Sequence, residues 1–234
     1  MKLKVGIIFG GFSREREISF AGGRTVYDNL NKTLFEAIPI FVDSFGNFIL
    51  LDWQFIYKGS IRDFYPPVSS IKPSAGNFQI YAESLGELDQ KEQEALLGNI
   101  GTLIPYSELS KLIDVAFLCL HGPYGEDGRI QGLLEFMGIP YTGSGILSSS
   151  IGINKSVQKQ LMNHAGFAGP KYILLKKSDW KKEYEAEVNR NLKKLIGFPC
   201  VIKPAHQGSS IGITIVSNDN AVEIKKAIDH AFFK

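Results

Sequence analysis

Residues Val5 to Phe9 (Val-Gly-Ile-Ile-Phe) carry no polar side chain, and they run straight into Gly10-Gly11. A short, branched, non-alternating run has two apolar faces. It predicts a strand buried on both sides, as in a parallel sheet, and not a surface strand with one wet face. The glycine pair lets the backbone turn sharply where the strand ends. A sheet covered on both faces needs helices on both faces, so this segment selects an α/β class.

The rest of the chain can support such a sheet. Hydrophobic residues make up 44% of the 234 residues and charged residues 21%, enough to bury a core. With 16 Phe and 9 Tyr, disorder is excluded. A formal charge of +2, dispersed along the chain, gives no footprint for nucleic acid. No apolar run approaches the roughly 18–20 residues of a membrane span, so no membrane partner is expected. Cys119 and Cys200 sit inside apolar runs and read as small core residues, which favours a reducing, cytoplasmic setting.

Strand and helix patterns alternate up to about Thr142. Strands are expected at Phe35-Val42, Phe48-Leu51 and Ile113-Leu120. Helices are expected after Ser13, with Ile18, Thr25, Val26 and Leu30 inward, and at Arg129-Met137; Ile139-Thr142 starts a further strand. Residues 53–106 mix Gly, Pro and Ser with short apolar pieces such as Phe78-Tyr81, and read as an insertion of loops and short strands. The prediction is an N-terminal domain over 1–142 with a mostly parallel sheet flanked by helices. The small, polar stretch Gly143 to Ser150 reads as a boundary. A second, α+β subdomain is then expected over 143–234. Its helices are Ser156-His164, Glu183-Ile196 and one capped by Asp219 and running to Phe233. Its strands are Tyr172-Leu175, Cys200-Lys203 and Ile211-Val216.

Sites in such sheets lie beyond the carboxyl ends of the strands. Two strands end in glycine-rich polar turns, GGFSRERE (Gly10–Glu17) and HGPYGEDG (His121–Gly128). In the first, Glu15 could bind a substrate ammonium, while Glu17 suits a helix N-terminus. In the second, His121 could orient a carboxylate or serve structure alone. Glu126 and Asp127 lack a third acid at useful spacing for a metal. The strongest local feature is VIKPAHQGSSIGI (Val201–Ile213), where Lys203 precedes a turn containing Gly208, Ser209, Ser210 and Gly212. Backbone N–H groups and hydroxyls of such a turn can surround phosphate oxygens. A plain hairpin with a surface lysine fits the same residues.

Taken together, GIIFGGFSREREISFAGG, DVAFLCLHGPYGEDGRIQGLLEFMGIPYTGSGILSS, INKSVQKQLMNHAG and GFPCVIKPAHQGSSIGITIV resemble the D-alanine–D-alanine ligase family of the ATP-grasp superfamily. The resemblance implies a pre-ATP-grasp domain followed by a central ATP-grasp subdomain. It implies ATP-dependent joining of two D-alanines through an acyl phosphate for peptidoglycan, with Mg2+ (or Mn2+) as the metal. It also implies homodimers.

On the matching positions, Glu15 takes the first substrate's ammonium and His121 lies near its carboxylate. Lys155 and Lys203 are the phosphate-binding lysines. Ser209 links Glu15 to a closing-loop tyrosine, and Gly208 to Gly212, with Ser210, form the loop over the phosphates. Asn154 departs from the family, which usually has Asp before Lys155. The family's closing loop, transition-state arginine and metal ligands match nothing before Lys234. The expectation is therefore a fragment without the C-terminal ATP-grasp subdomain, inactive alone. Two alternatives stand beside it: a D-alanine–D-lactate type ligase, and a binding fragment without turnover.

Overall fold

The computed structural model of the chain describes residues 2–65, 90–208 and 210–232. The chain divides into two compact units, Met1–Ser150 and Ile151–Lys234.

Among the described residues the first unit is built on a five-stranded sheet, in which the first strand lies between the second and the fifth, and the third between the second and the fourth. Its strands are β1 (Leu3–Gly10), β2 (Phe35–Val42), β3 (Phe48–Leu51), β4 (Gly101–Ile104) and β5 (Val115–Leu118). β1 lies parallel to both β2 and β5, with Ile8 opposite Ile40 on one side and Leu118 on the other. β3 runs antiparallel to β2 and β4 antiparallel to β3. For the β2–β3 pair the physical reason is the connection. Residues 43–47 join β2 to β3, and a turn that short cannot carry a parallel crossover.

Both faces of β1 are covered. Val5, Ile7 and Phe9 pack with helix α1 (Arg16–Asn29) through Phe20, Val26, Tyr27 and Leu30, while Ile8 joins Ile130 and Leu134 of helix α3 (Arg129–Phe136). Ile18, expected inward, is exposed. The buried side of α1 is Arg16, Ser19, Phe20 and Gly23, so the inward stripe is set by Phe20. Ser13 does not cap α1. Glu15 holds that place, and Ser13 Oγ accepts from the Glu15 N–H.

The stretch after β3 contains more helix than its sequence suggested. Among the described residues, two 3-10 turns (Trp53–Tyr57 and Ile61–Asp63) and helix α2 (Gln90–Ile100) lie between β3 and β4; the apolar piece Phe78-Tyr81 lies outside the described residues. Glu17 accepts from the Ile61 N–H at 3.0 Å and so ties α1 to the second turn. Ile139-Thr142 makes only an isolated parallel bridge, between Tyr141 and Ala116. The polar stretch read as a boundary becomes helical from Ile146, in helix α4 (Ile146–Ile153).

The second unit packs helix α7 (Ala221–Ala231) against the antiparallel pair β6 (Cys200–Ile202) and β7 (Thr214–Val216). Ile224, Ala227 and Ile228, at helical spacing, meet Leu192, Cys200 and Val216. Asn220, not Asp219, caps α7, because its carbonyl oxygen reaches the Val222 and Glu223 N–H groups; Asp219 instead pairs with Lys193 at 2.6 Å. Residues 172–175 form no strand, leaving a two-stranded sheet among the described residues. The helix expected over Glu183-Ile196 is α6 (Glu185–Asn191), continued as a π turn over Leu192–Ile196.

Both cysteines are buried and unpaired to each other, as expected. Burial pushes the Cys119 thiol up to about 11. No helix among the described residues is long and apolar enough to cross a membrane.

Candidate functional site

Three turns gather at the carboxyl ends of β1, β2 and β5. The first begins at Gly10, where the backbone adopts φ +96 and a β-carbon would overlap the Val42 carbonyl oxygen, so glycine is required. The Gly11 N–H bonds that same carbonyl at 2.7 Å, and the Gly10 N–H bonds Ser19 Oγ at 2.8 Å. The chain is thereby bent so that Ser13 and Glu15 are both buried at the strand end.

Glu15 is 8% exposed, and its Oε2 accepts no hydrogen bond among the described residues. A buried carboxylate oxygen without a donor is costly, and a cationic ligand group is the partner that relieves it most.

The second turn follows β5. The Gly122 carbonyl accepts from the Gly125 and Glu126 N–H groups, and Glu126 Oε2 accepts from the Gly122 N–H at 2.7 Å. Asp127 accepts from the Tyr124 N–H at 2.9 Å and pairs with Arg129 at 3.0 Å. The acids of GEDG therefore serve the turn's own backbone. Gln131, 5% exposed, donates to the Gly125 carbonyl from beneath.

The structure brings Glu15 and the His121 turn together. A β-carbon on Gly122 would lie 2.5 Å from Ser13 Oγ and 2.6 Å from Glu15 Oε2. His121 is half-buried beside them and lines a largely apolar cavity of about 240 Å³ with Phe12, Phe48, Tyr106, Leu120 and Tyr124.

Tyr124 holds a left-handed backbone (φ +70), which costs a non-glycine residue about 1–2 kcal/mol. Its ring stacks on Phe12, with centroids 4.3 Å apart, and takes the Arg129 guanidinium at 4.2 Å. Such contacts contribute about 0.5–1.5 kcal/mol each, enough to offset the strain.

The third turn, between β2 and β3, is organised by Asp43, which is 1% exposed. It accepts from the Phe45 and Asn47 N–H groups, the Asn47 amide and the Tyr65 hydroxyl. Burial, and then Asp43, hold the Tyr65 hydroxyl above its usual range.

The remaining sequence-predicted residues belong to the second unit. Lys155 opens helix α5 (Lys155–His164), and its ammonium donates to the Gln207 carbonyl at 2.6 Å, so it meets the 203–213 loop directly. Its backbone N–H bonds the Ala205 carbonyl at 3.0 Å. Asn154 caps α5 with one oxygen, which accepts from the Ser156 and Val157 N–H groups.

Lys203 stands exposed immediately after β6. The loop is shaped by two successive turns, Ile211 N–H to Gly208 and Ile213 N–H to Ser210, with Ser210 at φ +61 and Gly212 at φ +70. Ser209 lies outside the described residues. Missed in the sequence were Ser13, Gly122, Gln131 and the Phe12–Tyr124 stack. Only GRIQG, placed one turn after the acidic loop, offered a signal for Gln131.

Comparison with known proteins covers both units. The family profile described as D-ala D-ala ligase N-terminus matches residues 4–144, and the one described as D-ala D-ala ligase C-terminus matches residues 161–234. A D-alanine–D-alanine ligase of Geobacillus kaustophilus is 36% identical over 92% of this chain and 53% of its own length. One of Geobacillus thermodenitrificans is 34% identical over 99% and 58%. The chain thus spans a little over half the length of these curated relatives. Among solved structures, a D-Ala:D-Ser ligase of Enterococcus faecalis superposes with a TM-score of 0.62 at 27% identity, over 99% of this chain and 60% of that one. The fold is shared also with a D-alanine–D-alanine ligase of Coxiella burnetii, with a TM-score of 0.67 at 24% identity over 99% and 60%.

Proposed function

The chain belongs to the D-alanine–D-alanine ligase family, and on that basis we propose that it supplies the amino-acid-binding and phosphate-binding residues of an ATP-dependent, cytoplasmic ligase that joins two D-alanines for peptidoglycan. In this reading the first D-alanine's carboxylate attacks the γ-phosphorus of ATP and releases ADP. The amine of the second then attacks the acyl carbon, phosphate leaves, and the amine loses a proton.

Each residue has a defined task. Glu15 receives the ammonium of the first D-alanine, and His121 lies by its carboxylate. Lys155 and Lys203 neutralise phosphate oxygens, and the loop from Gly208 to Gly212, with Ser209 and Ser210, encloses them; a fixed cradle of this kind lowers the barrier by orientation and charge stabilisation. The observation that carries the reading is the buried Glu15 oxygen that accepts no hydrogen bond among the described residues, next to the His121–Gly122 turn.

Magnesium accompanies ATP in this chemistry. Among the described residues no group of three or more His, Cys, Asp or Glu side chains could hold a metal ion.

The test is a fusion of this chain at Lys234 to the remaining C-terminal segment of the Geobacillus kaustophilus relative. D-alanine-dependent ADP release is expected, with Glu15→Gln and Lys203→Ala each lowering kcat/KM by 100-fold or more. A folded but inactive fusion would refute the proposal. The likeness to a D-Ala:D-Ser ligase favours one variation, a different second substrate. D-serine and D-lactate assayed against D-alanine decide it.

A further inference from the structure

The β2–β3 turn carries no motif and none of the residues assigned above. It nevertheless contacts the site, through Phe12 and Tyr106. A β-carbon on Gly46 would sit 2.7 Å from the Phe12 ring, so that ring rests directly on the Gly46 backbone. The Gly46 carbonyl is held by the Tyr106 hydroxyl at 2.8 Å, and the turn itself by Asp43. The Phe12 ring in turn stacks on Tyr124, centroids 4.3 Å apart and planes 26° from parallel. Tyr124 is fixed at its N–H by Asp127 and at its ring by Arg129, which Asp127 also pairs. Phe12 lies three residues before Glu15, and Tyr124 three residues after His121.

We propose that the Phe12–Tyr124 stack, seated on Gly46, is a positioning device that clasps the three turns and sets the separation of Glu15 from His121. This rests on the reading of those two residues as the amino-acid site. The two rings act through the turns that carry them. Both rings are about two-fifths exposed (38% and 44%), so hydrophobic burial alone gives little reason for either to be aromatic. The strained backbone of Tyr124 is the second sign that its ring is held for geometry.

The experiment is amide hydrogen exchange, by NMR, on the 234-residue chain carrying Phe12→Leu, Tyr124→Leu, both together, or the conservative Phe12→Tyr and Tyr124→Phe. The reporters are the Gly122 N–H, bonded to Glu126, and the Cys119 N–H, bonded to Ile8 within the sheet. Each leucine variant is expected to exchange Gly122 at least tenfold faster and to shift the His121 ring resonances, with Cys119 unchanged. The double variant should add little to either single one, and the conservative variants should restore protection. Unchanged Gly122 exchange, or a loss in step with Cys119, would overturn the inference, because the latter marks general destabilisation.

D-alanine titrated into the same samples separates the two readings. Saturable shifts at Glu15 and Gly122 in the parent chain, weakened at least fivefold in the leucine variants, support both. No response in the parent chain counts against the amino-acid reading, while the exchange data still decide the clasp.

Discussion

Gly122 lies against the carboxylate of Glu15 with no room for a side chain: a β-carbon there would stand 2.6 Å from Oε2. The same residue sits at φ +67, where alanine is strained by about 1–2 kcal/mol. Gly122→Ala is therefore expected to lower stability in urea unfolding by about 1–3 kcal/mol and to push Glu15 from its place. A variant as stable as the parent would show that the Glu15 turn yields freely.

Asn154 makes its cap with a single oxygen. Asn154→Ala should cost about 1 kcal/mol, the usual loss for a capping side chain, in thermal or urea unfolding of the second unit. Asn154→Asp, the residue the family usually carries there, keeps the acceptor and adds a negative charge at the helix N-terminus. It should gain a few tenths of a kcal/mol at low salt. Equal stability of all three would remove the cap from the account.

Cys119 gives a pH dependence with a definite sign. Its thiol is raised to about 11 by burial, so above its ordinary range the unfolded chain loses this proton while the folded chain keeps it. Stability then falls as pH rises from about 9 to 11, by up to about 2–3 kcal/mol. Below pH 8 the group contributes no slope. Comparing unfolding of the parent with Cys119→Ala across that window isolates the effect. The native thiol should also resist alkylation at pH 8 until the chain is unfolded.

Asp43 serves four donors in the β2–β3 turn. Asp43→Ala should cost about 2–4 kcal/mol, because the buried Tyr65 hydroxyl and two backbone N–H groups lose their acceptor together. Tyr65→Phe removes one of these bonds and should cost about 1 kcal/mol. Chemical denaturation ranks the two, and the opposite order would mean that Tyr65 and not the turn is the centre of this network.

Much of this was legible in residue patterns. The doubly apolar run at Val5 to Phe9 could only be an inner strand, and β2 and β3 follow the apolar runs to the residue. The two polar turns were identified because glycine at a strand end implies a bend over a binding cleft. What stayed hidden has physical causes.

Tyr172 to Leu175 has strand-like composition but finds no partner strand among the described residues, since strand propensity expresses pairing and packing more than backbone preference. Helix α2 runs straight into β4, from Ile100 to Gly101, with no turn residues between them to mark the change. The spacing of Glu126 and Asp127 argued against a metal but not for any other task, and their oxygens answer backbone N–H groups a few residues away. Contacts between distant turns, such as Phe12 with Tyr124, are set by topology, and one sequence records no trace of them.

The strand order also bears on how the protein is made. β1 meets β2 after only a short helical excursion, but its other neighbour, β5, follows more than a hundred residues later. During translation the opening βαβ segment can assemble while the partner edge of β1 is still unsynthesised, and distant pairings come last. Glu15 therefore waits for the ribosome to deliver His121, and premature release of the nascent polypeptide before that point would leave an unprotected sheet edge at its centre.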